Sequence, residues 1–164
     1  MILCCGEALI DMLPRQTTDG EDAFAPYAGG AVFNTAIALG RLEAAPGFFC
    51  GLSSDLFGEI LVNTLTASDV SVDLSPRPDA PTTLAFVRLQ DGHATYTFYD
   101  ENSALTSLRV GDLPAIPGSV KAMFFGGISL AAGPSAEAFQ ALICLLYTSP
   151  SPRDQRGSRM PSSA

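Results

Sequence analysis

The 164-residue sequence predicts an α/β fold with parallel strands and a small β-sheet flap inserted into it. Three observations lead to that class. Apolar segments and helical periodicity alternate from Ile2 to Leu65. A hairpin signal at Asp91-Gly92 then breaks the rhythm, and a strand followed by a helix resumes it at Ala122.

Ile2 to Cys5 reads as a buried strand ending at Gly6. Residues 6–28 hold Pro14, Gly20 and Pro26 among polar residues, which predicts a loop or short hairpin region. From Gly30 to Arg41 the residues Phe33, Ala36, Ile37 and Gly40 fall at helical spacing and build one packing face. Phe48 to Leu52 is a second short strand. Ser54 or Asp55 can cap the next helix, whose apolar face is Leu56, Phe57, Ile60, Leu61 and Leu65.

Thr82 to Leu89 and His93 to Tyr99 are β-rich and flank Asp91-Gly92, where both residues tolerate positive φ. This lid hairpin, about 82–99, carries Leu84, Phe86, Tyr96 and Phe98 for one or both of its faces. Ala122 to Phe125 is a further buried strand, and Pro134 to Leu146 a helix with proline in its first turn. At Tyr147 the composition breaks. Residues 147–164 are rich in Ser, Pro and Arg, which predicts a disordered, non-native tail; LLYTSPSPRDQRGSRMPSS resembles translated sequencing-adapter read-through. The expected fold therefore occupies residues 1–146.

Hydrophobic residues make up 47% and charged residues 16%, a balance that supports a core. No apolar run reaches the roughly 18 residues of a membrane span. The apolar start carries Glu7 and Asp11 without a basic leader, a poor secretion signal. Net charge is −8, and residues 1–146 hold six Lys/Arg against sixteen Asp/Glu. That balance argues against nucleic acid as a partner. Cys4, Cys5, Cys50 and Cys144 form no CxxC or Cys/His spacing, so buried free thiols in a reducing cytoplasm are expected rather than zinc.

Three constellations carry chemistry. Gly6-Glu7-Ala8-Leu9-Ile10-Asp11 places a carboxylate just beyond the first strand, where open α/β sheets hold ligands. Asp11 there is either a solvated loop acid or an acceptor for two polyol hydroxyls. Ala28-Gly29-Gly30-Ala31-Val32-Phe33-Asn34 sets two glycines and an amide at a helix start, a tight turn or a ligand approach. In Gly51-Leu52-Ser53-Ser54-Asp55-Leu56-Phe57-Gly58, Asp55 reads first as a helix cap.

In this order and spacing, GEALIDMLP, GGAVFNTAIALGRL and GLSSDLFGEIL resemble the N-terminal signature of ribokinase-like (PfkB-family) carbohydrate kinases, especially fructokinase-type members. The resemblance covers about residues 1–146. It implies part of a doubly wound, Rossmann-like domain with a small β-sheet lid, and a possible homodimer through the lid. It implies that Asp11, Gly29, Gly30 and Asn34 bind sugar hydroxyls, with Phe98 closing over the sugar and Asn102 reaching it. Phe125-Gly126-Gly127-Ile128-Ser129 is expected to border the same cleft. Val32 departs from the family's usual proline, and Glu43 from its usual glycine at a turn.

The family's GAGD motif, whose aspartate takes the proton from the sugar hydroxyl, does not occur. Val110-Gly111-Asp112 is a superficial echo that reads as a loop, no GxxxxGK[ST] is present, and His93 reads as exposed. The expectation is a sugar kinase represented by its sugar-binding part, with ATP and Mg belonging to a longer enzyme, and fructose or a related sugar as substrate. Alternatives are a non-catalytic sugar-binding or lid-mediated interaction module, or a piece of a ketodeoxygluconate or nucleoside kinase. A half sheet is also expected to expose an apolar edge.

Overall fold

The computed structural model describes residues 1–90, 93–131 and 133–148. The Asp91-Gly92 turn and the tail from residue 149 lie outside the described residues. Three parallel strands form the central sheet in the order β4-β1-β7, with β1 at Ile2–Cys5, β4 at Gly47–Phe49 and β7 at Ala122–Phe125. Cys4 stands beside Phe48 and Phe124, and Cys5 beside Phe49 and Phe125.

Successive residues of a strand face opposite sides, so Phe48 and Phe49 serve two different layers. Phe48 meets Phe33 of α1 (Ala31–Arg41) edge-on at 6.0 Å. Phe49 meets Phe139 of α3 (Gly133–Thr148) at 6.0 Å, and Phe125 meets the same ring at 6.5 Å. Helices therefore cover both faces, the doubly wound layering expected. The expected packing face of α1 is buried as Phe33, Ala36, Ile37 and Gly40. α3 runs through Thr148, two residues beyond the expected end of its pattern.

Asp55 caps α2 (Leu56–Thr66), its carboxylate accepting from the Gly58 N–H at 2.7 Å. Such a cap contributes about 1 kcal/mol. The strand expected to reach Leu52 stops at Phe49, because the chain there turns to bond the segment around residues 75–78. Leu52 N–H donates to the Pro76 carbonyl at 3.0 Å instead of continuing the ladder.

The lid is larger than a single hairpin. Its four strands lie in the order β3-β2-β5-β6, with β2 at Leu9–Gln16, β3 at Asp22–Gly29, β5 at Leu84–Gln90 and β6 at His93–Tyr99. Residues 6–28, expected as a loop or short hairpin region, thus supply two eight-residue strands. The prolines that obscured them sit where they cost little. Pro26 is on the edge strand, and Pro14 lies past Met12, the last β2 residue paired with β5. The connecting turn is closed by Gly20 N–H to the Thr17 carbonyl at 3.0 Å, with Gly20 at φ 84°.

Lid residues divide cleanly between faces. Phe86 meets Phe24 at 5.0 Å and Tyr99 at 5.4 Å on one side. Tyr96 and Phe98 stack at 6.2 Å and belong to the other, with Asp11. His93 is exposed at the start of β6.

Among the described residues β7 pairs only with β1, and Phe124 is 41% exposed. An apolar ring is thus exposed at this edge of the described sheet. Cys4, Cys5 and Cys50 are buried free thiols; burial pushes the Cys4 thiol up to about 11 and Cys50 to about 12. Among the described residues no helix is long and apolar enough to cross a membrane.

Glu43 adopts φ 58° in the turn after α1, where the sequence suggested glycine would sit more easily. A side chain in this left-handed region costs about 1–2 kcal/mol. Glu43→Gly should raise the unfolding free energy by about 1 kcal/mol, read as a rise in urea midpoint at unchanged slope.

Candidate functional site

The cleft lies where the C-terminal ends of β1 and β7 meet the lid. It is a cavity of about 340 Å³, bounded by Leu9 and Asp11 of β2 and by Gly30, Ala31 and Asn34 at the start of α1. Tyr96 and Phe98 of β6 close one side, and Glu7 and Ile128 come from the strand-end turns. Small-molecule sites run from roughly 300 to 1,000 Å³, so the space fits a compact ligand.

Asp11 points from the lid and Asn34 from α1, and both line this one space. Neither side chain has a hydrogen-bond partner among the described residues, since the Asn34 bond belongs to its backbone N–H, donated to Gly30. Burial raises the Asp11 carboxyl above its ordinary value. A carboxylate without donors and an amide with both donor and acceptor free suit the hydroxyls of a polyol. Tyr96 and Phe98, 54% and 48% exposed, offer apolar ring surface opposite them.

The two glycines work differently from the expectation. A Cβ at Gly29 would sit 2.3 Å from Asp11 Oδ2, so its absence makes room for that carboxylate. A Cβ at Gly30, which has φ 116°, would lie 2.7 Å from the Glu7 carbonyl oxygen. Gly30 borders the cavity, whereas Gly29 serves it through Asp11. Each glycine lets the chain approach a protein acid closely.

Glu7 is the residue that sequence reasoning passed over. It is 1% exposed, and its Oε1 accepts from the Ala31 N–H at 3.1 Å and the Val32 N–H at 3.4 Å. Its Oε2 accepts from Ser129 Oγ at 2.5 Å. The available signal was a charge inside the apolar run from Ile2 to Ile10, because a charge buried there requires partners. Ile128 and Ser129 thus bring the Phe125–Ser129 run to the cleft, as expected.

Val32 is fully buried beneath the strand ends, against Gly6 and Gly126, and does not line the cavity. Its N–H, which a proline would not offer, is one of the donors to Glu7.

Phe98 reaches the cavity, but Asn102 does not. Asn102 is exposed at φ 54° in the turn after β6. The neighbouring Ser103 is fixed by the Thr83 hydroxyl at 2.7 Å, which holds that turn at the base of the lid. Asp55 is engaged there as well. Besides capping α2, it accepts from the Thr82 N–H at 2.8 Å and Thr82 Oγ1 at 2.6 Å. Burial pushes its carboxyl up, but the bonds from Thr82 and Gly58 outweigh that and hold it below the ordinary value. With its oxygens engaged, Asp55 is a structural acid.

Asp112 of the Val110-Gly111-Asp112 echo accepts from its own Arg109 N–H at 2.8 Å, closing a short 3₁₀ turn. Among the described residues no group of three or more His, Cys, Asp or Glu side chains is placed to hold a metal ion.

Residues 1–145 match the model of the pfkB family carbohydrate kinases. A fructokinase of Rhizobium leguminosarum bv. trifolii is 54% identical over 143 residues, which are 87% of this chain and 44% of that protein. The Xylella fastidiosa fructokinase solved with bound ATP superposes with a TM-score of 0.80 at 32% identity, over 92% of this chain and 49% of that one. The Vibrio cholerae O395 fructokinase with fructose, ADP and calcium ion bound gives 0.71 at 27% identity, over 89% and 46%. The chain thus spans about half the length of these relatives. On the family match and the Rhizobium relative together, the chain belongs to the pfkB family of carbohydrate kinases.

Proposed function

We propose that this chain is the sugar-binding part of a fructokinase-type enzyme that phosphorylates a hydroxyl of fructose or a related sugar. One observation carries the reading: Asp11 and Asn34, whose side chains have no hydrogen-bond partner among the described residues, line a single cavity. In this reading both grip hydroxyls of one sugar, while Gly30 borders it and Gly29 leaves Asp11 its room. Phe98 and Tyr96 cover the apolar ring face, as aromatic rings do for sugar C–H groups. Asn102 reaches such a ligand only if the lid base rearranges.

ATP and Mg belong to the longer enzyme in this reading, the nucleotide being supported by the ATP and ADP complexes of the relatives. The residues described here do not fit a metal-nucleotide: the α1 start is taken by Glu7 and Asp112 by its own turn. No phosphoryl-transfer step is therefore assigned to them, and the chain by itself is proposed to bind sugar without transferring phosphate. The same absence of fit favours a second reading, a non-catalytic sugar-binding module. The gene beyond codon 146 separates the two, since continuation into a glycine-rich GAGD segment supports the enzyme.

A cytoplasmic location accompanies the proposal, supported by three buried free thiols. A homodimer through the lid is part of it too, supported by the exposed aromatic surface of Phe24 and Tyr99. Nucleic acid and membranes are not proposed as partners of this acidic chain.

Isothermal titration of the chain with fructose should give saturable binding, weakened at least tenfold by Asp11→Asn or Asn34→Ala. Fructose binding unchanged in both variants would refute the shared grip. Asp11 also predicts a stability signature of definite sign. Its folded value is raised, so its stabilising contribution is full below the unfolded value of about 3.9 and is lost as pH rises through the folded value. At pH 7 the ionised group therefore weighs against folding, and Asp11→Asn should leave Tm equal or higher while binding weakens. A lowered Tm would mark Asp11 as structural.

A further inference from the structure

We propose that Asp55 is a positioning residue for the cleft: by holding Thr82 it fixes the angle of the β5–β6 half of the lid, and so sets Tyr96 and Phe98 over the cavity. The inference rests on the sugar-binding reading above and adds to it a residue that does not line the cavity.

The lid joins the rest of the chain at two pairs of crossings. Glu7 ties the first pair, residues 6–8 and 30, by accepting from the Ala31 N–H. The second pair, residues 81–83 and 100–104, leads into β5 and out of β6. Its two legs are laced together. The Ala104 N–H donates to the Pro81 carbonyl at 2.8 Å, and Thr83 Oγ1 donates to Ser103 Oγ at 2.7 Å. Among the described residues, the only hydrogen bonds from these legs to the helices or the central sheet run from Thr82 to Asp55. The Thr82 N–H donates to Oδ2 at 2.8 Å and Thr82 Oγ1 to Oδ1 at 2.6 Å.

Capping α2 does not require this arrangement. A cap uses one oxygen, and Asn or Ser serves as well as Asp. Asp55 Oδ1 meets that need at the Gly58 N–H, which leaves Oδ2 for the Thr82 N–H. A charged acceptor holds such bonds more tightly than a neutral one. The anchor is itself stiff. Arg77 Nε donates to the Leu52 and Ser53 carbonyls, both at 3.1 Å, and a Cβ at Gly58 would lie 1.9 Å from the Ser53 carbonyl oxygen.

β5 begins two residues past Thr82, and its Ala85 stands opposite Phe98. A tilt at Thr82 is therefore carried about 10 Å along the strand to a ring that lines the cavity with Asn34. Groups that grip a ligand must be held to within about 0.5 Å, and the bonds behind them do the holding. Asp55 supplies those bonds for the β5–β6 half of the lid.

Asp55→Asn in the full chain tests this, because it keeps the cap at Gly58 and turns an amide N–H toward the Thr82 N–H. Fructose binding, read by isothermal titration, should weaken at least fivefold. Residual dipolar couplings should show β5 and β6 turned relative to β1 and β4, while amide exchange protection in α2 stays within twofold. Thr82→Val, which removes the hydroxyl donor, should weaken fructose at least threefold, and Thr82→Ser, which keeps it, should stay within twofold. A half-lid left unturned in Asp55→Asn, with α2 protection kept or lost, would mark Asp55 as a cap alone and overturn the proposal. So would a folded Asp55→Asn chain that binds fructose within twofold of the unmodified one. If Asp55→Asn does not fold, the Thr82 pair decides, and Thr82→Val binding like Thr82→Ser would overturn the proposal. If the unmodified chain binds no fructose, the sugar-binding reading falls, while the couplings still decide whether Asp55 sets the lid.

Discussion

The buried carboxylate of Glu7 is the constraint on which the cleft depends. An ion removed from water must find donors, and Glu7 finds them on elements 24 and 122 residues away in sequence. Satisfying it pulls the start of α1 and the turn after β7 onto the end of β1. Asn34, in the first turn of α1, is then held facing the lid strand that carries Asp11. The same closeness explains why glycine stands at 30 and 126, since a Cβ at either would crowd Glu7. A motif that reads as ligand approach is, in this fold, first an approach of the chain to itself.

Three acids show how environment assigns roles. Glu7 and Asp55 have their oxygens engaged by named donors, and each joins elements far apart in sequence. Asp55 links α2 to Thr82 at the base of the lid, and its bonds hold its carboxyl low despite burial. Asp11 has burial without side-chain donors among the described residues, and its carboxyl is raised. An unpartnered acid in a cleft is a poor choice for stability and a good one for a hydroxylic ligand. The two satisfied acids fix the frame, and the unsatisfied one faces the space within it.

Much of this was legible in the sequence because local rules and tertiary context agree. The β1 run, the apolar face of α1, the Asp55 cap and the β5–β6 strands are all strong local patterns. The β2–β3 hairpin was hidden because prolines and charged residues weaken its alternation, while its edge position tolerates them. The Phe48–Leu52 pattern overran its strand because apolar residues after Phe49 are buried by loop packing rather than by the ladder. Asp11, Gly30, Asn34 and Phe98 were found from the motif and converge on the cavity. Gly29 serves it indirectly, Asn102 is turned out of it, and Glu7 went unseen because its three partners are distant in sequence. Pairing of that kind has no local signature.

In the proposed function this clasped frame aims Asp11 and Asn34 at one polyol. A crystal structure of the chain soaked with fructose tests it most directly. One sugar is expected in the cavity beneath Tyr96 and Phe98, with hydroxyl oxygens within about 3 Å of both the Asp11 carboxylate and the Asn34 amide. Fructose bound elsewhere, or touching only one of the two, would contradict it.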